Sequence, residues 1–448
     1  MSALKWAALL AGLLSAYPCG RLLRRLPRLE SAAWFLAGLL PFLGTLDIGL
    51  VTDVSFAGDS HGLEVALLDW LALVLVCTRP LSLRRVPYRA TLALYLLAAA
   101  GSALSAVAPV QVGYYAWKLL RGYLLFFAVV RAGGSLPVAL ALLRGMAAGA
   151  FYEFYLVMQQ RYSVYQSPGS FAHQNSLGMA MNLCLVTVVA LLLARRSDWL
   201  VTLAPGVGLI VVLLTRSRGA LIFFSAGVGL VFVLSSLRRF TGRKALVAVL
   251  GATLAAGVLS WSARRVVERF ERAPAASMDT RRQFEEAAAM MLRDHPWGVG
   301  ANHFSWSMRH GGYADRAGLT YGDRVATVHN LYWLTAAELG WFGLAALLLV
   351  LVRPLVDALR GAWRAARGDL RGDLLLGLGV ALLTCYLHST VEWIWRETEV
   401  SYVFWTVVAL AGSLAAAVRR DTPRRAKHRR PRLGARDDHG GDGLGGAS

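Results

Sequence analysis

Arginines, histidines and a few carboxylates stand at the edges of long apolar runs in this sequence, and their types suit the handling of an anion and a proton. Arg216 and Arg218 lie in LTRSRGALIFF (214–224), between two apolar stretches. A guanidinium there is costly unless it reaches water, headgroups or a bound anion. Arginines at helix ends often snorkel to headgroups. The other reading is a diphosphate or lipid-linked phosphate, because a tight turn opening a helix adds backbone N–H donors to the guanidinium forks. Further on, MDTRRQFEEAAAMMLRD (278–294) reads as a helix with Asp279 at its N-cap; it carries Arg281 and Arg282, either of which suits a surface or a site. VHNLYWLTAAELGWFG (328–343) opens on His329 and Asn330: a cap, or a neutral imidazole placed as general base. His173 and Asn175 sit in SPGSFAHQNSLGMAMN (167–182), a turn and helix start or a binding segment.

Three more segments frame these residues. HPWGVG (295–300) is a sharp turn after a helix, with Pro296 ending it and Gly298 and Gly300 free to take unusual backbone angles. Glu338 lies inside an apolar span, so it is a functional candidate by position, or the partner of an arginine. In LHSTVEWIWRETE (387–399), Glu392, Arg396 and Glu397 are placed to pair with one another beside the interfacial tryptophans Trp393 and Trp395.

The elements that must carry these residues are membrane helices. Of 448 residues 56% are hydrophobic, the mean hydropathy is +0.49, and apolar runs of spanning length recur from end to end. Strand-type alternation is absent, which argues against a β-barrel. The reading is an all-α polytopic bundle of about twelve to thirteen spans. Residues 1–262 supply about ten of them, 263–327 form one large outer loop with short helices, 328–418 return to the membrane, and 419–448 are a basic, then Gly/Asp-rich tail expected to be disordered. MSALKWAALLAGLLSAYPCG lacks the order of a cleavable signal and reads as a retained first helix.

The net charge of +20 would raise nucleic-acid binding in a soluble chain. Here the basic residues crowd alternate connectors, at 21–28, 79–89, 194–198, 237–244, 353–371 and 419–432, whereas 46–62 holds no Lys or Arg. That alternation is a topology signal and puts the arginine-rich set on the cytoplasmic side. His61, His173, His295, His303, His310, His329 and His388 then all fall at or near the outer face, so chemistry is expected there. Cys19, Cys77, Cys184 and Cys385 lie in or beside apolar runs without a CxxC, so neither a disulfide frame nor a zinc site is expected. The spacing of His295, His303 and His310 fits no helical ligand pair, and no metal or other cofactor is assigned. No Walker, HExxH, GxSxG or Asp-x-Asp motif is present.

The order of SRG at an outer turn, an arginine before HPWGVG, then HN opening a span with ELGWFG, together with FAHQN at 171–175, resembles the O-antigen ligase and polymerase family of membrane glycosyltransferases. The resemblance covers roughly residues 165–350. It implies a GT-C-like fold in the bacterial inner membrane, working at the periplasmic face. The donor would be a glycan on undecaprenyl diphosphate. The acceptor would be lipid A–core for a ligase, or a second lipid-linked glycan for an exopolysaccharide or O-antigen polymerase. Carried over, the turn arginine is Arg218 with Arg216 as alternative, the loop arginine is Arg281 with Arg282 as alternative, and the histidine near the acceptor is His329. His173, Asn175 and Asn330 join as binding residues. The tryptophan that the family often has four residues after its loop arginine is Glu285 here. Displacement would be direct and inverting, without a metal. A different class remains open: an ion-coupled carrier built around Glu338, which would place its polar site near the midplane.

Overall fold

The computed structural model describes residues 2–44, 46–79, 86–194, 198–271, 275–320, 324 and 326–428. The tail beyond 428 and the arginine-rich segment 80–85 lie outside the described residues. The chain begins with α1 (Ser2–Arg25) and α2 (Pro27–Leu39), followed by a hairpin of β1 (Asp47–Thr52) and β2 (Gly62–Ala66). Then come α3 (Leu67–Cys77), α4 (Arg89–Gly101), α5 (Pro109–Arg131), α6 (Leu136–Gln160), α7 (Gln174–Ala194), α8 (Trp199–Thr215), α9 (Arg218–Arg238) and α10 (Gly242–Glu271). Beyond the bundle's first part lie α11 (Ala275–Asp294), α12 (Phe304–His310) and α13 (Tyr313–Arg316), and the chain closes with α14 (Leu331–Arg364), α15 (Leu370–His388) and α16 (Thr398–His428).

This is an all-α polytopic membrane architecture. A helix stands at each of the thirteen expected positions, and among the described residues seven are long and apolar enough to cross a membrane: Ala3–Arg25, Leu136–Gln160, Gln174–Ala194, Arg218–Arg238, Leu331–Arg364, Leu370–His388 and Thr398–Asp421. The shorter apolar helices Leu67–Cys77, Arg89–Leu104 and Trp199–Thr215 pack among them. At 1.5 Å per residue α3 covers about 16 Å, roughly half a hydrocarbon core. Hydropathy gave it more length because Gly62–Ala66, apolar enough to extend the run, is strand instead. That antiparallel hairpin, with a bulge between Gly49 and Val51, is a small addition to the all-α bundle that the sequence pattern does not announce. The other differences are at boundaries. α10 continues past the expected loop start at 263 to Glu271, and α11 begins at Ala275, so Asp279 lies within the helix and is not its cap.

α7 is the axis of the bundle. Every residue from Ser176 to Leu193 is buried, and small residues let its neighbours come close. Gly178 faces Ala220 of α9, and Ala190 faces Gly377 of α15. Close approach through small residues is how helices pack where lipid removes the hydrophobic drive between them. Helix starts are set by side-chain caps: Asp198, Ser217, Asn330 and Asp369 each accept a first-turn N–H.

The two ends of the bundle differ. At one end, arginines in or near the helix ends pair with aspartates: Arg144–Asp198 at 2.6 Å, Arg238–Asp373 at 3.1 Å, Arg371–Asp421 at 2.6 Å and Arg419–Asp357 at 2.9 Å. At the other, loop-rich end, the longer connectors lock together. The Asn302 carboxamide accepts from Asp59 and Ser60 N–H, and donates to Ser60 O and Gln111 Oε1. His303 closes the same seam, with Nδ1 on Ala301 O and Nε2 accepting from Ala108 N–H.

One break in a helix organises this end. Gly340 in α14 has φ 67°, ψ −170°, a conformation open to glycine alone, and it interrupts the helical ladder. The freed carbonyls of Ala337 and Glu338 accept from Val299 and Gly300 N–H, and Trp341 N–H donates to Pro296 O. HPWGVG and ELGWFG are therefore one structural unit. A β-carbon on Gly298, itself at φ 88°, would collide with the Glu338 carbonyl, and one on Gly340 with that of Pro296.

Candidate active site at the loop-rich end

Four chain segments meet at one carboxylate. Glu392 sits in the turn after α15, its side chain 4% exposed. Its Oε1 accepts from Asn175 Nδ2 at 2.6 Å and from an Arg281 terminal nitrogen at 3.1 Å. Its Oε2 is 3.0 Å from His329 Nδ1. An ionised carboxylate only accepts, so the shared proton belongs to Nδ1, and in the neutral form of the ring Nε2 carries the lone pair. Burial pushes the Glu392 carboxyl up, but the His329 hydrogen bond and the charges of His329, Arg281 and His388 outweigh it and hold it below its ordinary value. The Arg281 and His329 side chains remain 35% and 32% exposed, so both stay within reach of a ligand at this mouth.

Each member is placed by local rules. His329 precedes the Asn330 cap, whose Oδ1 accepts from Tyr332 and Trp333 N–H, and Leu331 N–H donates to Ser389 O. This ties the start of α14 to the turn that carries Glu392. Asn330 also donates to Glu285 on α11 at 2.8 Å. Arg281 shares its helix face with Phe284 and Ala288, which are buried in a cluster with Met291, Phe304, Val328 and Leu334. One residue on, Arg282 points the other way. It is 81% exposed and pairs with Glu286 at 3.4 Å, one turn along the outer face. The helical period thus separates two arginines that adjacency could not.

His173 joins from before α7. Its Nδ1 accepts from Asn175 N–H. Burial lowers its pKa, with Glu392 pulling it up and His329 pushing it down, so the three groups share one field. The TRSRG turn borders the cluster from α9. Arg216 is left-handed at φ 52° and ends α8, its guanidinium 4.1 Å over the Tyr165 ring. Ser217 caps α9 and Arg218 is its first residue, half-buried. A β-carbon on the next residue, Gly219, would lie 2.8 Å from His388 Nε2. His388 in turn feels the charges of Glu392 and Arg281. The start of α9 therefore packs against an imidazole that lies in the field of the carboxylate.

Glu392 and His388 are the members that sequence reasoning missed. Glu392 does not pair with Arg396 as the spacing invited. Arg396 turns inward to Glu338 at 2.8 Å, and both are buried. The available signal was an acidic residue four positions past the end of α15, at the same end as the histidines. On the other side of the 172–176 segment lies a cavity of about 220 Å³, lined by Asp59, His61, Trp117, Lys118, Glu397 and Glu399 among others. Burial raises Glu397 there to about 7. Among the described residues no group of three or more His, Cys, Asp or Glu side chains is placed to hold a metal ion.

Fold and site together define a multi-pass helical membrane protein with a cationic, imidazole-bearing cluster at one mouth of the bundle. Residues 203–348 match the family model described as O-antigen ligase. The family implies a glycosyltransferase-like activity on lipid-linked glycans in a membrane. The matched segment contains Arg216, Arg218, Arg281, Arg282, His329 and Asn330, and it stops short of His173, Asn175 and Glu392. No curated protein matches the chain.

Proposed function

We propose that this protein transfers a glycan from undecaprenyl diphosphate to an acceptor hydroxyl at the periplasmic face of the bacterial inner membrane, with lipid A–core as acceptor. The observation that carries the reading is the convergence of Arg281, His329 and Asn175 on Glu392, beside the helix start that bears Arg218. In this reading Arg281 and Arg218, with Arg216 at the rim, hold the diphosphate and stabilise its charge as the glycosidic bond breaks. His329 Nε2 takes the proton of the acceptor hydroxyl while that oxygen attacks the anomeric carbon. The bonding pair leaves with the diphosphate, and the anomeric centre inverts. General base catalysis of this kind contributes about 10²–10⁴-fold. Guanidinium groups take the place that a divalent ion would otherwise fill against the diphosphate. The arginine-rich connectors lie at the opposite end, which supports a periplasmic site by the charge rule.

The carrier reading has less support. Both oxygens of Glu338 are occupied, one by Arg396 and one by Phe304 N–H. The decisive experiment is complementation of a gene deletion with Arg218→Ala and Arg281→Ala, followed by inspection of the glycan. Bare lipid A–core with polymeric lipid-linked glycan supports ligation. Single lipid-linked repeat units instead identify the polymerase of the same family. Wild-type glycan from both variants rejects the diphosphate site.

A further inference from the structure

We propose that Glu392 is a positioning residue that couples occupancy of the diphosphate site to the basicity of His329. The inference rests on the transfer reading above and deepens it. The carboxylate divides its two oxygens between the two functions. Oε1 meets the Arg281 guanidinium and Oε2 meets His329 Nδ1. Without donor, the Arg281 cation neutralises much of the charge that would otherwise favour a protonated imidazole. A diphosphate drawing Arg281 toward itself relieves that neutralisation. Asn175, an uncharged donor at 2.6 Å, stays on Oε1 and keeps the carboxylate in place. Glu392 then acts on His329 with its full charge, and the imidazole becomes a stronger base once the donor is seated. The Nδ1 contact also fixes the ring, leaving Nε2 as the proton acceptor.

The charged and titratable groups around the pair are His173 before α7, Arg281 and Glu285 on α11, and His388 ending α15. The geometry accounts for why Glu392 is buried while its partners are not. A carboxylate open to water would be screened and would pass little of the change from Arg281 to His329.

The sign is definite. A base must be deprotonated, so the acid limb of the transfer rate follows the pKa of His329. An adjacent carboxylate favours the protonated imidazole, so losing its charge favours the neutral one. The test is the pH profile of transfer by purified wild type, Glu392→Gln and Glu392→Asp in vesicles holding undecaprenyl-diphosphate-linked glycan. In Glu392→Gln the acid limb moves down by about one unit or more and the maximal rate falls, while the KM for donor does not rise. Glu392→Asp restores part of both. An unmoved acid limb with a merely lower protein yield overturns the coupling and leaves Glu392 structural. A second measurement covers a variant that fails to fold. In the wild type, the imidazole titration of His329 by NMR rises in pH on adding inorganic pyrophosphate, and rises less in Arg281→Ala. Equal shifts in both proteins overturn the proposal. The transfer reading fails separately, through full activity of Arg281→Ala and His329→Ala.

Discussion

Two glutamates in the last third of the chain each face an arginine, and they have opposite surroundings. Glu338 and Arg396 are 1% and 3% exposed, and the guanidinium stacks 4.3 Å over the Tyr115 ring. Glu392 is as buried, but Arg281 and His329, its partners, open to the outside. The difference teaches how to read a charge in a membrane protein. A sealed pair next to the Gly340 break ties the 394–396 turn to α14, and the same carboxylate accepts Phe304 N–H at the start of α12. An open-sided pair leaves a cation and an imidazole available to a ligand. The intramembrane position of Glu338 made it a candidate for function, yet the geometry around it is that of a fastening.

The largest expected effect separates these roles. Arg396→Ala strands a buried carboxylate, and breaking such a pair costs about 3–5 kcal/mol; detergent-extracted yield and thermal unfolding should both collapse. Glu392→Gln should instead keep its yield while its maximal transfer rate falls. If the two variants behaved alike, the distinction would fail. Next comes Gly340→Ala, which puts a side chain at positive φ where it meets the Pro296 carbonyl. Strain of this type costs about 1–3 kcal/mol, and limited proteolysis near 295–303 should report a loosened loop.

A smaller effect sharpens the open side. The folded pKa of Glu392 lies below its ordinary 4.5, so its pairing adds stability that is present above about pH 4.5 and is lost as pH falls through the folded value. Thermal midpoints of wild type and Glu392→Gln should therefore converge on acidification below that point. Arg282→Ala should matter least, because its partner Glu286 is a surface neighbour one turn away. The KM for donor should rise far less for Arg282→Ala than for Arg281→Ala. A larger rise for Arg282→Ala would reverse the choice between them.

Much of this was legible beforehand. The apolar runs place the helices, because burial in lipid demands satisfied backbones and long apolar stretches. The alternation of arginine among connectors separates two ends that the structure also keeps apart. Arg281, His329, His173 and Asn175 were all named from motifs, and they meet. What stayed hidden depends on folding at long range. Asn175 and Glu392, 217 positions apart, carry no local sign of their 2.6 Å contact. Arg281 and Arg282 separate only once the face bearing Phe284 and Ala288 is known to be buried. The hairpin at 47–66 was read through because its strands are short and its second strand runs directly into an apolar helix.

The central claim is that the imidazole beside Glu392 takes a proton during transfer while the arginines hold the donor. Its most direct test measures both quantities in one preparation of purified His329→Ala: binding of the undecaprenyl-diphosphate-linked glycan and the single-turnover rate of its transfer. The account predicts unchanged donor binding with transfer slowed by about 10²–10⁴-fold. A wild-type rate, or loss of donor binding along with the rate, would contradict it.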